Sequence, residues 1–243
     1  MLDSDGLCAY YCPEMKERYD FPPHIWNWDT MPDEEARHWA LCGTVSGKLV
    51  ERWNLNSQPG VAPRVLDLGC GMGRNSLAMA QSGMDVYGLD IDEKPLNTAK
   101  NTARKMKQDI KYVQGGMRDM PFESGFFDAV FADNILTLTS HMGLAQTMDE
   151  IHRVLRFGGE AFMVFTDKTM PVLQNGRMVD QNTIMLNVQY GSHSAVANFV
   201  DDNSLKNVLR GFSVLDKTGK IHGYNPDIFH HFILAMKSGV RGH

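Results

Sequence analysis

The residues best placed to do chemistry lie in one short run, Asp67-Leu-Gly-Cys-Gly-Met-Gly73. Glycines at 69, 71 and 73 permit positive φ and leave no side chains to block a ligand approaching the backbone. A helix expected to begin near Arg74 or Asn75 adds free N–H groups and the positive end of its dipole. A second acid, Asp90, closes the run Gly88-Leu-Asp90, 21 positions after Gly69. That is close to the offset of about 20 residues at which a carboxylate accepts ribose hydroxyls. Loop and acid together predict a nucleoside site; the plainer alternative is a tight strand-to-helix turn with Asp90 as a helix cap.

The spacing discriminates between nucleosides. A dinucleotide fingerprint has the form G-x-G-x-x-G, which would put its third glycine where Arg74 stands. This chain reads G-x-G-x-G, with Asp67 two residues ahead of the first glycine. An anion there would repel a pyrophosphate and suit a cationic amino group. The expected ligand is therefore S-adenosylmethionine, whose amino-acid end carries an ammonium.

With these residues the sequence resembles the class I S-adenosylmethionine-dependent methyltransferases. Val65-Leu-Asp-Leu-Gly-Cys-Gly-Met-Gly73 is similar to that superfamily's first motif, and Gly88-Leu-Asp-Ile91 to its second. Met120-Pro-Phe122, Phe127-Asp-Ala-Val130 and Arg153-Val-Leu-Arg-Phe-Gly-Gly159 follow in the expected order, so the likeness is specific over residues 64 to 166. It implies that Asp67 and the glycines Gly69, Gly71 and Gly73 hold the methionine moiety, with Cys70 and Asn75 also expected at the cofactor. It further implies Asp90 on the ribose and Ile91 against the adenine, with Met117, Arg118, Asp133 and Asn134 completing the cofactor site. The chain departs from the family at Gly116, where an acid usually accepts from the adenine amino group; Asp119 or Asp133 would have to substitute, or the backbone of Met117 reach the ring edge. More loosely, Gly176-x-x-x-Asp180-Gln-Asn-Thr183 and the ending His230-His-Phe-Ile-Leu-Ala-Met-Lys237 look like a small-molecule branch that includes relatives of tellurite-resistance enzymes.

Methyl transfer asks the protein to hold a nucleophile in line behind the methyl group and to exclude water. An amine or hydroxyl acceptor also needs a base. Asp133, His141 and His193 are the candidates for that role. His230 and His231 are adjacent in an expected strand, so they face opposite ways and cannot share a metal; no metal is expected. Cys70 is expected to pack rather than react.

These residues must be positioned by alternating elements. Strands are expected at 64–68, 85–89, 110–114, 127–132, 160–165, 212–215 and 228–236, and helices at 75–81, 95–106, 145–155 and 204–210. The spacing predicts an α/β fold, Rossmann-like and doubly wound, with a mostly parallel seven-stranded sheet, helices on both faces and an antiparallel final strand at the sheet edge. Apolar runs such as Ala129-Val-Phe-Ala132 suit strands buried on both faces. Residues 168–203 read as a mixed, loop-like insertion with one strand at Thr183 to Gln189. Residues 1–56, rich in aromatics and prolines and then helical in spacing from Asp33 to Trp53, read as a lid or cap on a domain spanning 57–243.

With 243 residues, 43% apolar and 22% charged, the chain can bury one α/β core. A net charge of −5 supplies no general field for nucleic acid or an anionic membrane, and neither is an expected partner. No N-P-P-[YF]-like signature follows the fourth strand, which runs into Asp133-Asn-Ile-Leu136. Four unpaired cysteines and an acidic, non-apolar N-terminus suit the cytoplasm. The expected partner is a small-molecule acceptor, with a homodimer as the oligomer considered. Two rivals stay open: a non-catalytic module that binds S-adenosylmethionine, and a nicotinamide oxidoreductase.

Overall fold

The computed structural model describes residues 45–169, 176–190, 193–221 and 229–240, the side chains of 187–190, 193–195, 219–221 and 229 aside. The chain divides after Gly116 into two compact units. The first holds α1 (Gly47–Leu55), β1 (Arg64–Leu68), α2 (Arg74–Gln81), β2 (Asp85–Asp90), α3 (Glu93–Lys105) and β3 (Ile110–Gln114). β1 and β3 each pair with β2 in parallel register. Val65, Leu66 and Leu68 are buried on both faces of β1, as expected of a covered parallel strand. α1 starts where Ser46 caps the amide of Leu49, and it buries Leu49 and Trp53. Most of the aromatic segment expected to act as a lid lies outside the described residues.

The second unit holds β4 (Phe127–Ala132), α4 (His141–Val154), β5 (Leu155–Thr166), β6 (Arg177–Asp180), β7 (Thr183–Tyr190), β8 (His193–Asn198), α5 (Asp202–Val208), β9 (Phe212–Ile221) and β10 (Phe229–Lys237). β4 and β5 are parallel, while β10 is antiparallel to both β5 and β9. The seven-stranded sheet has the order β3-β2-β1-β4-β5-β10-β9. The α/β class, the seven strands and the antiparallel ending all agree with expectation.

Two expectations need correction. The final strand is not the edge: β10 lies between β5 and β9. Its Phe232, Ile233, Leu234 and Ala235 are buried, whereas Val214 and Leu215 of β9 are exposed, so the more apolar strand takes the covered place. The strand expected at Thr183 to Gln189 is present as β7, but the residues around it are not loop-like: 177–198 form a second, antiparallel sheet in the order β6-β7-β8. The sequence hides β6 because that strand is exposed throughout.

Candidate functional site

The loop after β1 is shaped by three positive φ angles: Gly69 at 69°, Gly71 at 52° and Gly73 at 78°. The amides of Gly69 and Cys70 both donate to the carbonyl of Leu89, at 2.8 and 3.0 Å. The Gly71 amide donates to Asp90 Oδ2 at 2.8 Å, and the Asp92 amide donates to Asp90 Oδ1 at 2.9 Å. Asp90 therefore fastens the loop to the end of β2, and the cap of α3 is Asp92, whose side chain accepts from Lys94 at 3.0 Å. Burial pushes the Asp90 carboxyl up, against the opposing pull of the Asp92 and Gly71 amides. Each oxygen keeps a second lone pair beyond its backbone bond. α2 follows its N-cap Gly73, which makes no side-chain cap hydrogen bond, and its first turn holds no acid, so its positive dipole end is not neutralised there.

Asp67 is 3% exposed at the carboxyl end of β1, and Ser76 donates to its Oδ2 at 2.5 Å. Asn75 is buried, and its Oδ1 accepts the Val45 amide at 3.2 Å, tying α2 to the chain ahead of α1. Cys70 is buried too; burial, then the Asp67 and Asp90 carboxylates, push its thiol well up. That suits packing and disfavours a thiolate. Ile91 is 75% exposed, an apolar side chain set in solvent directly after Asp90. At Gly116 an added Cβ would meet nothing within 4 Å.

In the second unit, Met117 is half-buried and Arg118 exposed in a turn. The following segment is clamped by α4. Glu150 accepts the Met120 amide at 2.7 Å, while Arg153 donates to the carbonyls of Phe122 and Met120 at 2.7 and 3.0 Å and pairs with Glu150 at 2.6 Å. Asp133 and Asn134 follow β4 at its carboxyl end, both half-buried. Asn134 has a φ of 56°, a left-handed conformation that few side chains other than Asn adopt readily. His141 opens α4 just after its cap Ser140, and its amide donates to Thr183 Oγ1 at 2.8 Å. Its Nδ1 is buried with no hydrogen-bond partner among the described residues. Asp180 faces it: burial raises that carboxyl, but the Asn182 amide, the Thr183 hydroxyl and the charge of His141 together hold it below the usual range. His193 starts β8, and its side chain is outside the described set. His231 bonds through Nε2 to Asp167 at 2.8 Å with both residues buried, which supports a structural role.

Comparisons with known proteins bear on the fold and on the segment that carries the motifs. A family model described as a methyltransferase domain matches residues 65–159. An uncharacterised methyltransferase of Synechocystis is 40% identical over 106 residues, which cover 44% of this chain and 47% of that protein. A sterol 24-C-methyltransferase of Gibberella zeae is 32% identical over 166 residues, covering 67% and 42%. The magnesium protoporphyrin IX methyltransferase of Synechocystis, solved with S-adenosylmethionine bound, shares the fold with a TM-score of 0.57 at 16% identity, over 79% of this chain and 77% of that one. Residues 65–159 thus match a methyltransferase domain, and the chain is similar in sequence and in fold to S-adenosylmethionine-dependent methyltransferases. It spans less than half the length of these two curated relatives.

Some residues that shape the loop and the segment after β4 were not singled out by sequence reasoning. Tyr112 is one. An added Cβ on Gly73 would come within 3 Å of its ring, and one on Gly88 would meet the ring at 2.6 Å. The third glycine of the loop, expected as a cofactor contact, also makes room for a tyrosine. The clue was available once β2 and β3 were aligned, since Gly88 pairs directly with Tyr112. Asn198 is another: its Nδ2 serves the carbonyls of Leu136, Thr139 and Thr137, at 2.5, 3.3 and 3.4 Å. Nothing local in the sequence links position 198 to the segment after β4.

Proposed function

We propose that the protein moves a methyl group from S-adenosylmethionine to a nucleophilic atom of a small-molecule acceptor. The observation that carries this reading is the loop between Asp67 and Gly73, joined to Asp90 through the Gly71 amide. Asp67 would take the ammonium, the leading N–H groups of α2 the carboxylate, and the second lone pairs of Asp90 the ribose hydroxyls. The exposed face of Ile91 and the open space at Gly116 suit the adenine. When bound, S-adenosylmethionine supplies an electrophilic methyl group.

The chain's own work is then to orient the acceptor and, where its nucleophile carries a proton, to remove it. Asp133 and Asn134 are assigned to that end, with Met117 and Arg118 beside the cofactor. Of the candidate bases, His141 has the best support: a buried Nδ1 with no hydrogen-bond partner among the described residues, on a helix start anchored by Thr183. Asp133 and His193 keep the same assignment on position in the chain alone. Relatives named for sterol and menaquinone methylation favour a small acceptor over a polymer.

Calorimetry with S-adenosylhomocysteine and NAD, followed by a panel of small acceptors assayed for S-adenosylhomocysteine release, tests the reading. The expected result is binding of S-adenosylhomocysteine alone and release with at least one acceptor. Stabilisation by NAD alone would overturn the cofactor assignment. Tight S-adenosylhomocysteine binding with no release across the panel would favour the non-catalytic module.

A further inference from the structure

We infer that a cavity in the second unit is a binding site for a small zwitterion, a molecule that carries both an ammonium and a carboxylate. The cavity shares no residue with those assigned to the cofactor. Under the methyl-transfer reading proposed above, on which this step alone rests, the zwitterion is the class of the acceptor.

The cavity has a volume of about 540 Å³ and lies beyond the carboxyl end of β5. The buried part of its lining is Asp167, just after β5, and His231 of β10, joined at 2.8 Å. The amide and hydroxyl of Thr169 also bond to Asp167, at 2.9 and 2.7 Å, so its carboxylate is held in place. The remaining lining comes from Lys168, from Lys217 of β9 and from the start of α5, and it carries charges of both signs. An apolar ligand would strip water from these charges and return no hydrogen bonds, which argues against a sterol-like or quinone-like occupant.

Counting bonds shows which groups are open to a polar ligand. Asp201 Oδ1 accepts the amides of Asn203 and Ser204, at 3.1 and 2.9 Å. Asp202 Oδ1 accepts from Lys217 Nζ at 2.7 Å, while its Oδ2 accepts from no described residue. Lys168 Nζ stands 3.7 Å from Asp201 Oδ2, past the reach of an N–H···O bond at about 3.2 Å, so its donors stay available. The carboxamide of Asn203 bonds to no described residue either. Asp202 Oδ2 therefore suits an ammonium, and Lys168 with Asn203 suits a carboxylate. A ligand with one charge would satisfy one side and leave the other without a partner; a zwitterion answers both.

The cavity is anchored on the same strand end as the candidate acceptor segment. Thr166, next to Asp167, shares a hydrogen bond of 2.5 Å with Thr137 and accepts the Val200 amide at 2.9 Å.

Chemical-shift titrations of the isotope-labelled protein with γ-aminobutyrate, butyrate and butylamine test the site, followed at the amides of Lys168 and Asn203. Wild type should bind γ-aminobutyrate about 10-fold more tightly than either singly charged probe. Lys168→Met should weaken γ-aminobutyrate and butyrate by about 10-fold and leave butylamine within about 2-fold. Asp202→Asn should do the converse, weakening γ-aminobutyrate and butylamine but not butyrate. Each variant keeps one probe, which shows that it is folded; a loss of all three in either variant would count against the assigned partners. Equal wild-type affinity for γ-aminobutyrate and butyrate would make this an anion site only, and for γ-aminobutyrate and butylamine a cation site only. Either result overturns the inference, as does the absence of any shift. Failure of the wild type to bind S-adenosylhomocysteine would instead remove the methyl-transfer reading and leave the zwitterion site standing.

Discussion

The cofactor loop and the segment after β4 are both turns at the carboxyl end of a parallel strand, but they are held in different ways. The loop between Asp67 and Gly73 is tied to partners no more than about two dozen residues away, with Asp90 and Leu89 accepting its amides. Residues 136–141 are tied to the small antiparallel sheet, through Asn198 to three carbonyls and through Thr183 to the His141 amide. In one region a motif builds its own support. In the other, a distant insertion supplies it. Support that lies outside the motif can change without touching the loop between Asp67 and Gly73.

If that contrast is sound, damage to each region should show in a different measurement. The largest effect is expected at Asp67→Asn, which removes the charge facing the ammonium and disturbs the bond from Ser76. S-adenosylhomocysteine should weaken by about 100-fold in calorimetry. Undiminished binding would remove Asp67 from the site.

Asn198→Ala should separate the two regions. It leaves buried carbonyls at Leu136 and Thr139 without their donor, which costs about 2 kcal/mol of stability in urea unfolding. Turnover should fall, while S-adenosylhomocysteine binding stays within about 2-fold of wild type. A matching loss of cofactor affinity would mean the regions are not independent.

A third effect is smaller and depends on pH. Arg153 beside Glu150 holds that carboxyl below the usual glutamate range, helped by the Met120 amide and opposed by burial. Because the folded value lies below the unfolded one, the stabilisation is complete above the ordinary glutamate pKa and is lost as pH falls through the lowered folded value. Urea midpoints between neutral and acid pH should therefore fall more steeply for wild type than for Glu150→Gln. Parallel pH profiles would show that the clamp on Met120 and Phe122 adds no such linkage.

The smallest expected effect is a gain. Gly116→Asp places a carboxylate where an added Cβ meets nothing within 4 Å. Affinity for S-adenosylhomocysteine should improve by about 3-fold through the adenine amino group, with no such gain for an analogue lacking that group. Equal affinities for wild type and variant would place the adenine elsewhere.

The sequence by itself determined the class of fold and the cofactor motif. Both depend on short-range signals: glycines at fixed spacing, a strand before them, a helix after them, and Asp90 at the end of the next strand. It also placed most elements to within a few residues, because buried parallel strands are compact apolar runs. Only the tertiary structure decided what each motif residue does. It gave Asn75 to the amide of Val45, made Asp90 a tie for the loop as well as a candidate ribose acceptor, and traced Gly73 to the bulk of Tyr112. It also placed β10 inside the sheet and made 177–198 a sheet of its own. The physical reason is common to all of these. They are set by which residues meet across tens of positions in the chain, and the period and spacing of one segment carry no record of its distant partner.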